Sequence, residues 1–215
     1  MEWVILLGGL LLAYLLGSIP TSVWVGKAFY HIDIRSEGSG NAGATNTIRV
    51  LGVKAGIPVI LVDVMKGFMA VYLIHFFVPS TWTTSQLTYS QILAGFIAVL
   101  GHVYPIFAGF RGGKGVATLL GMGIAIFPTV IWVPVFIFIV VLLSTGYVSL
   151  SSMLAGLSFP LTDIFVYHEH HPGKVVLAVV AALFIIYTHR KNIARLIKGT
   201  ENRFYFRKKS SENKP

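Results

Sequence analysis

Apolar positions fall into long blocks along the chain, and polar positions collect in the short segments between them. One block runs from Trp3 to Val25, and two more cover 56–78 and 87–108. A helix needs about 20 apolar residues to cross about 30 Å of hydrocarbon, so each block predicts one membrane span. The stretch 115–162 then holds 48 consecutive positions without a formal charge, too many for one crossing, and Pro128, Pro134 and Ser144-Thr145-Gly146 offer break points. A last run, 174–188, ends at His189-Arg190-Lys191. The first block follows Glu2 with no basic residue before it, which does not fit a cleaved signal peptide, so it is read as the first span.

The placement of positive charge orients these spans, because Lys and Arg concentrate in cytoplasmic loops. Four basic residues lie in the first connection (Lys27, Arg35, Arg49, Lys54), two in the third (Arg111, Lys114) and nine from Arg190 onward, which is 15 of the 17 in the chain. The connection 79–86 carries no charge and should face outward. An even number of crossings must therefore separate Lys114 from Arg190. Two crossings in 115–147, one in about 149–167 and one in 174–189 satisfy this. The expected fold is an all-α, polytopic integral membrane protein: a seven-transmembrane-helix bundle with the N-terminus out and the C-terminus cytoplasmic. A five-span bundle has the same parity. Residues 1–206 are expected to form one transmembrane domain, followed by a basic polar cytoplasmic tail, 207–215.

Composition agrees with this reading. Hydrophobic residues make up 55% and charged residues 12%, about half the ~25% charge of soluble domains; the mean hydropathy is +0.76. Cysteine is absent, which excludes thiolate catalysis, disulfide scaffolding and cysteine-bound zinc.

The polar segments with unusual chemistry all fall on the predicted cytoplasmic side. The first, Gly38 to Asn46, reads GSGNAGATN and is followed by Arg49. Its first six residues match G-x-G-x-x-G, but they follow a membrane helix, where a dinucleotide fold needs a strand, and Asp63 lies inside an apolar span. What remains is a glycine-rich loop with hydroxyl, amide and guanidinium donors, suited to an anion such as phosphate; the plainer alternative is a turn that packs closely on other helices. The second segment, FRGGKG at 110–115, is one residue too short for a Walker A loop and lacks its Ser or Thr after the lysine. Arg111 and Lys114 still offer two cations to a phosphate. The alternative is a pair of topology-setting charges.

His189 and Asn192 stand three residues apart and share a helical face, with the histidine a candidate proton acceptor; Lys191 and Arg195 are expected to meet lipid headgroups. Asp63 and Lys66 form an intramembrane pair of opposite charge, a candidate site read in preference as a brace between helices. The His168-Glu169-His170-His171 run lies in an outward loop away from the other motifs, and no metal is assigned to it.

These blocks together resemble a known family, the bacterial acyl-phosphate:glycerol-3-phosphate acyltransferases (PlsY family). The likeness rests on Gly17 to Pro20, Gly38 to Asn46 with Arg49, Asp63 to Gly67, Gly101 to Pro105 with Phe110 to Gly115, Tyr147 to Ser152, and His189 to Ile193 with Arg195, Leu196 and Gly199 to Glu201. The resemblance implies a seven-helix enzyme of the bacterial inner membrane with its site open to the cytoplasm. It would transfer a fatty acyl group from acyl phosphate to the 1-hydroxyl of sn-glycerol 3-phosphate, giving lysophosphatidic acid and phosphate, the first acylation of phospholipid synthesis. Carried over by position, the catalytic residues would be His189, Asn192, Lys114, Arg49 and Ser39. Substrate would be held by Gly38, Gly40, Asn41, Gly43, Thr45 and Asn46 from the first loop, and by His102, Arg111, Gly112 and Gly113 from the second. Ser149 and Ser152 would face the acyl-phosphate headgroup. Arg111 stands where many members carry Lys, which keeps the charge.

The resemblance implies no cofactor and no metal; its partners are acyl phosphate, glycerol 3-phosphate and membrane lipids, with no nucleic acid. The sequence leaves open a soluble acyl-phosphate synthase docked on the basic tail, and it leaves open whether His189 or the departing phosphate takes the hydroxyl proton. Two other catalytic designs are missing: no G-x-S-x-G elbow occurs, and none of the seven histidines has an aspartate five positions later. An organic-phosphate transporter or channel is the alternative reading, although no pair of matching broken helices in two halves is visible.

Overall fold

The structure, a computed structural model, describes residues 2–204. The expected tail, 207–215, lies outside the described residues. Among the described residues the chain forms ten α-helices joined by loops and short 3-10 turns, with no strand. They are α1 (Glu2–Gly17), α2 (Thr21–Tyr30), α3 (Ala44–Leu51), α4 (Val53–Leu73), α5 (Thr84–Val103), α6 (Val116–Ile126), α7 (Trp132–Thr145), α8 (Val148–Phe165), α9 (Pro172–Thr188) and α10 (Arg190–Ile197).

Three helical segments, Val53–Phe77, Thr84–Ala108 and Val148–Phe165, are long and apolar enough to cross a membrane, and the count rises to five if the bent pairs α1 with α2 and α9 with α10 each make one span. The apolar helices α6 and α7 are shorter, at 11 and 14 residues. The apolar block 3–25 is therefore not one straight helix. It breaks at Ser18-Ile19-Pro20 with a 42° bend, because proline disfavours helical geometry in the residue before it and cannot donate to the preceding turn. In α5 the start is fixed by Thr83, whose hydroxyl accepts from Gln86 N while the Gln86 side chain accepts from Thr83 N.

Small residues let these helices approach backbone to backbone. A Cβ on Gly17 or Gly101 would collide with main chain of α5 or α1, and a Cβ on Gly67 or Gly121 would collide with main chain of α6 or α4. Such contacts replace the hydrophobic driving force that lipid removes between membrane helices. One apolar core lies among α6, α8 and α9, including Met122, Phe127, Phe159 and Leu177; another joins α1, α4 and α5.

The connection from α2 to α3 is tied down from both sides. Asp33 pairs with Lys27 at 3.4 Å and with Arg35 at 2.7 Å, and Arg35 donates to the Ala108 carbonyl at 2.7 Å. Hydrogen bonds from Arg35 hold the Asp33 carboxyl far below the usual carboxylate range. The first polar loop is thereby pinned to the end of α5, beside the second.

Candidate active site

Both polar loops, the start of α8 and the junction of α9 with α10 converge on a cavity of about 350 Å³. Its polar end is lined by Ser39, Asn41, Gly43, Thr45, Asn46 and Arg49 from the first loop and α3, by His102 and Lys114, by Ser149 and Ser152, and by His189 and Asn192. From there it continues between α6, α7, α8 and α9, where apolar side chains line it.

Glu201 organises the polar end. Its carboxylate accepts from Ser149 Oγ at 2.8 Å, from Asn192 Nδ2 at 2.6 Å and from Arg195 Nε at 2.6 Å. Asn192 passes the connection on, its Oδ1 accepting from Lys114 Nζ at 2.6 Å. Burial raises the Glu201 carboxyl, but the hydrogen bonds from Asn192, Arg195 and Ser149 outweigh it and hold the group below its ordinary value. Around this one anion stand Arg49, Lys114 and Arg195. Burial pushes Lys114 down to about 8, Glu201 opposes the shift, and Arg195 and Arg49 add to it. Arg49 is lowered for the same first reason, burial, with Glu201 opposing. Three cations against one carboxylate leave an excess of positive charge that a bound anion would neutralise.

His189 closes α9 where the chain bends by 58° into α10. Its Nδ1 lies 2.8 Å from the Ile185 carbonyl, and a carbonyl can only accept, so Nδ1 carries the proton and Nε2 is left as an acceptor. Burial first, then the nearby Lys114 charge, pushes the imidazole down to about 4. It is neutral at physiological pH.

The expected site residues separate into those that line the cavity and those that shape it. Asn46 touches the cavity but is spent on structure: its Nδ2 donates to the Ile34 and Glu37 carbonyls and its Oδ1 accepts from Ser39 N. Gly38 and Gly40 do not line the cavity; they turn the loop at φ of 59° and 70°, conformations that favour glycine, and a Cβ on Gly38 would strike Asn46 Oδ1. The amides of Ser39 and Gly40 are likewise consumed within the loop. The free N–H groups of this segment come instead from the first turn of α3, after Gly43, where a helix has no internal acceptors.

The second loop differs from expectation more sharply. Gly112 N donates to the Val103 carbonyl at 3.1 Å and Gly113 N to the His102 carbonyl at 3.2 Å, so these amides do not form an open phosphate nest. Their lack of side chains lets the loop lie on His102, which a Cβ at either position would strike. Arg111 is exposed and outside the cavity. Lys114 is the cation this loop delivers. His102 lines the cavity, buried and 3.6 Å from Asp63, which itself pairs with Lys66 at 2.9 Å and accepts from Thr21. Lys66 also donates to the Ile19 carbonyl at the break between α1 and α2. Asp63, read above as a brace more than a site, both braces and lines the cavity.

Arg195, expected at the lipid headgroups, instead turns inward to Glu201 and lines the cavity. Neither residue stands out as a site residue in the sequence, although Glu201 is the one acid among the basic residues from Arg190 to Arg203. The His168 to His171 run serves the connection from α8 to α9: Glu169 accepts from the His170 and His171 amides and pairs with Lys174.

Comparison with known proteins gives one consistent result. Residues 7–199 match the family model described as glycerol-3-phosphate acyltransferase. The glycerol-3-phosphate acyltransferase of Fusobacterium nucleatum is 41% identical over 198 residues, covering 92% of this chain and 97% of that protein. That of Listeria monocytogenes is 44% identical over 197 residues, covering 89% and 92%. Among solved structures, PlsY (YgiH), an integral membrane glycerol 3-phosphate acyltransferase, in its glycerol 3-phosphate form superposes with a TM-score of 0.82 at 39% identity, covering 93% of this chain and 96% of that one. Its lysophosphatidic acid form gives a TM-score of 0.78 at 38% identity, covering 93% and 95%.

Proposed function

The chain belongs to the glycerol-3-phosphate acyltransferase family, and we propose that its acyl donor is an acyl phosphate and that the polar end of the cavity carries the transfer. The protein is a multi-pass membrane enzyme that acylates glycerol 3-phosphate; the match argues against the transporter alternative. The observation that carries the donor assignment is the union, in one cavity, of a cationic pole at Arg49, Lys114 and Arg195 with an apolar channel. An acyl phosphate has a charged head and a long apolar tail, and both ends find a matching environment there.

In this reading glycerol 3-phosphate lays its phosphate against the cations and the first turn of α3, with its 1-hydroxyl toward His189. The hydroxyl oxygen attacks the carbonyl carbon of the acyl phosphate, and the proton passes to Nε2 of the neutral His189. The bond from the carbonyl carbon to the phosphate oxygen then breaks, leaving the ester and inorganic phosphate, and the departing phosphate takes the proton from the imidazole, which restores neutral His189. The donor is already activated, so no acyl-enzyme is required. Catalysis comes from holding the hydroxyl against the carbonyl and from the fixed cations that meet the developing charge. Asn192 positions Lys114, and Glu201 positions Asn192, Ser149 and Arg195.

Two further features of this reading are topological. Taking α6 and α7 as crossings gives seven spans, and the distribution of basic residues supports an outward N-terminus and a cytoplasmic C-terminus, in the bacterial inner membrane. The donor assignment is tested with purified protein in lipid nanodiscs, labelled glycerol 3-phosphate, and acyl phosphate, acyl-CoA or acyl carrier protein as donor. Lysophosphatidic acid should form with acyl phosphate alone. Product with acyl-CoA at a comparable rate would overturn the assignment.

A further inference from the structure

The apolar part of the cavity has a floor, and beyond it lies charge. Phe127, at the end of α6, meets Phe159 of α8 edge to face with ring centroids 4.9 Å apart. Leu177 of α9 lines the same end. One helical turn past Phe159, on the same face of α8, sits Asp163, fully buried, with both carboxylate oxygens lacking a partner among the described residues. Beside it Glu169, whose amide donates to the Asp163 carbonyl, pairs with Lys174 at 2.9 Å, and Lys174 lies 5.8 Å from the Phe127 ring. An apolar chain that pushed past the floor would have to enter this polar layer, which a methylene group cannot solvate.

We propose that the Phe127–Phe159 pair, backed by Asp163, is the chain-length stop of the enzyme, limiting the fatty acyl group that the cavity accepts in extended form. The proposal rests on the acyl-transfer reading above and adds the substrate's length to it. Along three separate helices, from Gly115 to Phe127, from Ser149 to Phe159 and from His189 to Leu177, the rise of about 1.5 Å per residue sets the floor about 15 to 18 Å from the polar end. Carbon–carbon bonds of about 1.5 Å advance an extended chain by roughly 1.25 Å per carbon. About 12 to 14 carbons fit between the polar end and the stop. Ala181, two turns of α9 from His189, lines the channel part of the way down.

The test uses decanoyl, myristoyl and stearoyl phosphate with the full-length enzyme. Wild type should use myristoyl phosphate about tenfold better than stearoyl, the discrimination expected when a pocket meets surplus methylenes. Phe159→Ala, which opens the stop, should raise the stearoyl-to-myristoyl ratio by about tenfold. Ala181→Leu, which fills the channel above the stop, should move the preference the other way, lowering the myristoyl-to-decanoyl ratio by about tenfold. In both variants the KM for glycerol 3-phosphate should stay at its wild-type value. Direct binding of lysophosphatidic acids of the same three lengths reads the stop without any donor, so failure of the donor assignment is distinguishable from failure of the stop. If Phe159→Ala does not fold, Ala181→Leu alone decides. Length preferences that match wild type in folded Ala181→Leu, for donors or for bound lysophosphatidic acids, would overturn the proposal.

Discussion

In the proposed reaction His189 enters neutral, and that state is set by where the helix ends. Burial and the Lys114 charge hold its pKa at about 4, while the Ile185 carbonyl fixes the proton on Nδ1. Replacing it with alanine should lower kcat by about 100-fold or more with little change in KM, the usual scale of general-base loss; a kcat within a few-fold of wild type would remove the base role. Lys114 behaves oppositely. In the proposed site it must be charged to hold phosphate, so kcat/KM for glycerol 3-phosphate should fall as pH rises through about 8. Folded Lys114 binds fewer protons than unfolded Lys114 between about 8 and its ordinary 10.5, so this titration does not weaken the fold as pH rises. The thermal midpoint should therefore hold while activity falls. Because Glu201 raises the Lys114 pKa, Glu201→Gln should move the alkaline limb lower; Lys114→Arg should move it beyond the measurable range. These roles were only partly legible. His189, Asn192 and Lys114 stand out as residue types in the sequence, whereas Glu201 and Arg195 become meaningful only when a bend folds α10 back over the cavity.

Helices meet here through glycine, at contacts that the apolar pattern alone does not reveal. Long apolar blocks located α4, α5, α8 and α9 to within a few residues, because length against bilayer thickness is a strong constraint. The break at Pro20 was written in the sequence but hidden inside a continuous apolar run. The glycine-rich loops looked like anion nests, yet Gly112 and Gly113 spend their amides on the end of α5; composition reveals a tight turn but not which carbonyls it will meet. At the α4–α6 crossing, Gly121→Leu should destabilise the protein by about 1–3 kcal/mol through overpacking, because Gly121 rests on the Val64 carbonyl. Gly8→Leu, with nothing within 4 Å, should leave stability unchanged. Thermal unfolding in detergent compares them directly. Equal midpoints would show that the crossing tolerates separation.

Across the whole molecule, positive charge and polar chemistry gather at one end of an apolar bundle, and the cavity joins that end to the interior. The sequence showed the asymmetry through its basic residues, but not that the separate polar blocks form one pocket, since convergence depends on helix packing. The chain has no cysteine, so single reporters can map the topology. Thr81→Cys, in the uncharged loop, should react with an impermeant maleimide from outside intact cells, and Lys54→Cys only after the membrane is opened; both sites are exposed. The reverse pattern would invert the bundle. Direct transfer from acyl phosphate at the cationic end is checked by measuring phosphate release against lysophosphatidic acid formation, with and without glycerol 3-phosphate, in wild type and Lys114→Ala. Direct transfer requires equal amounts of the two products, no phosphate release without the acceptor, and loss of both by about 100-fold in folded Lys114→Ala. Phosphate released without glycerol 3-phosphate, or a variant as fast as wild type, would contradict it.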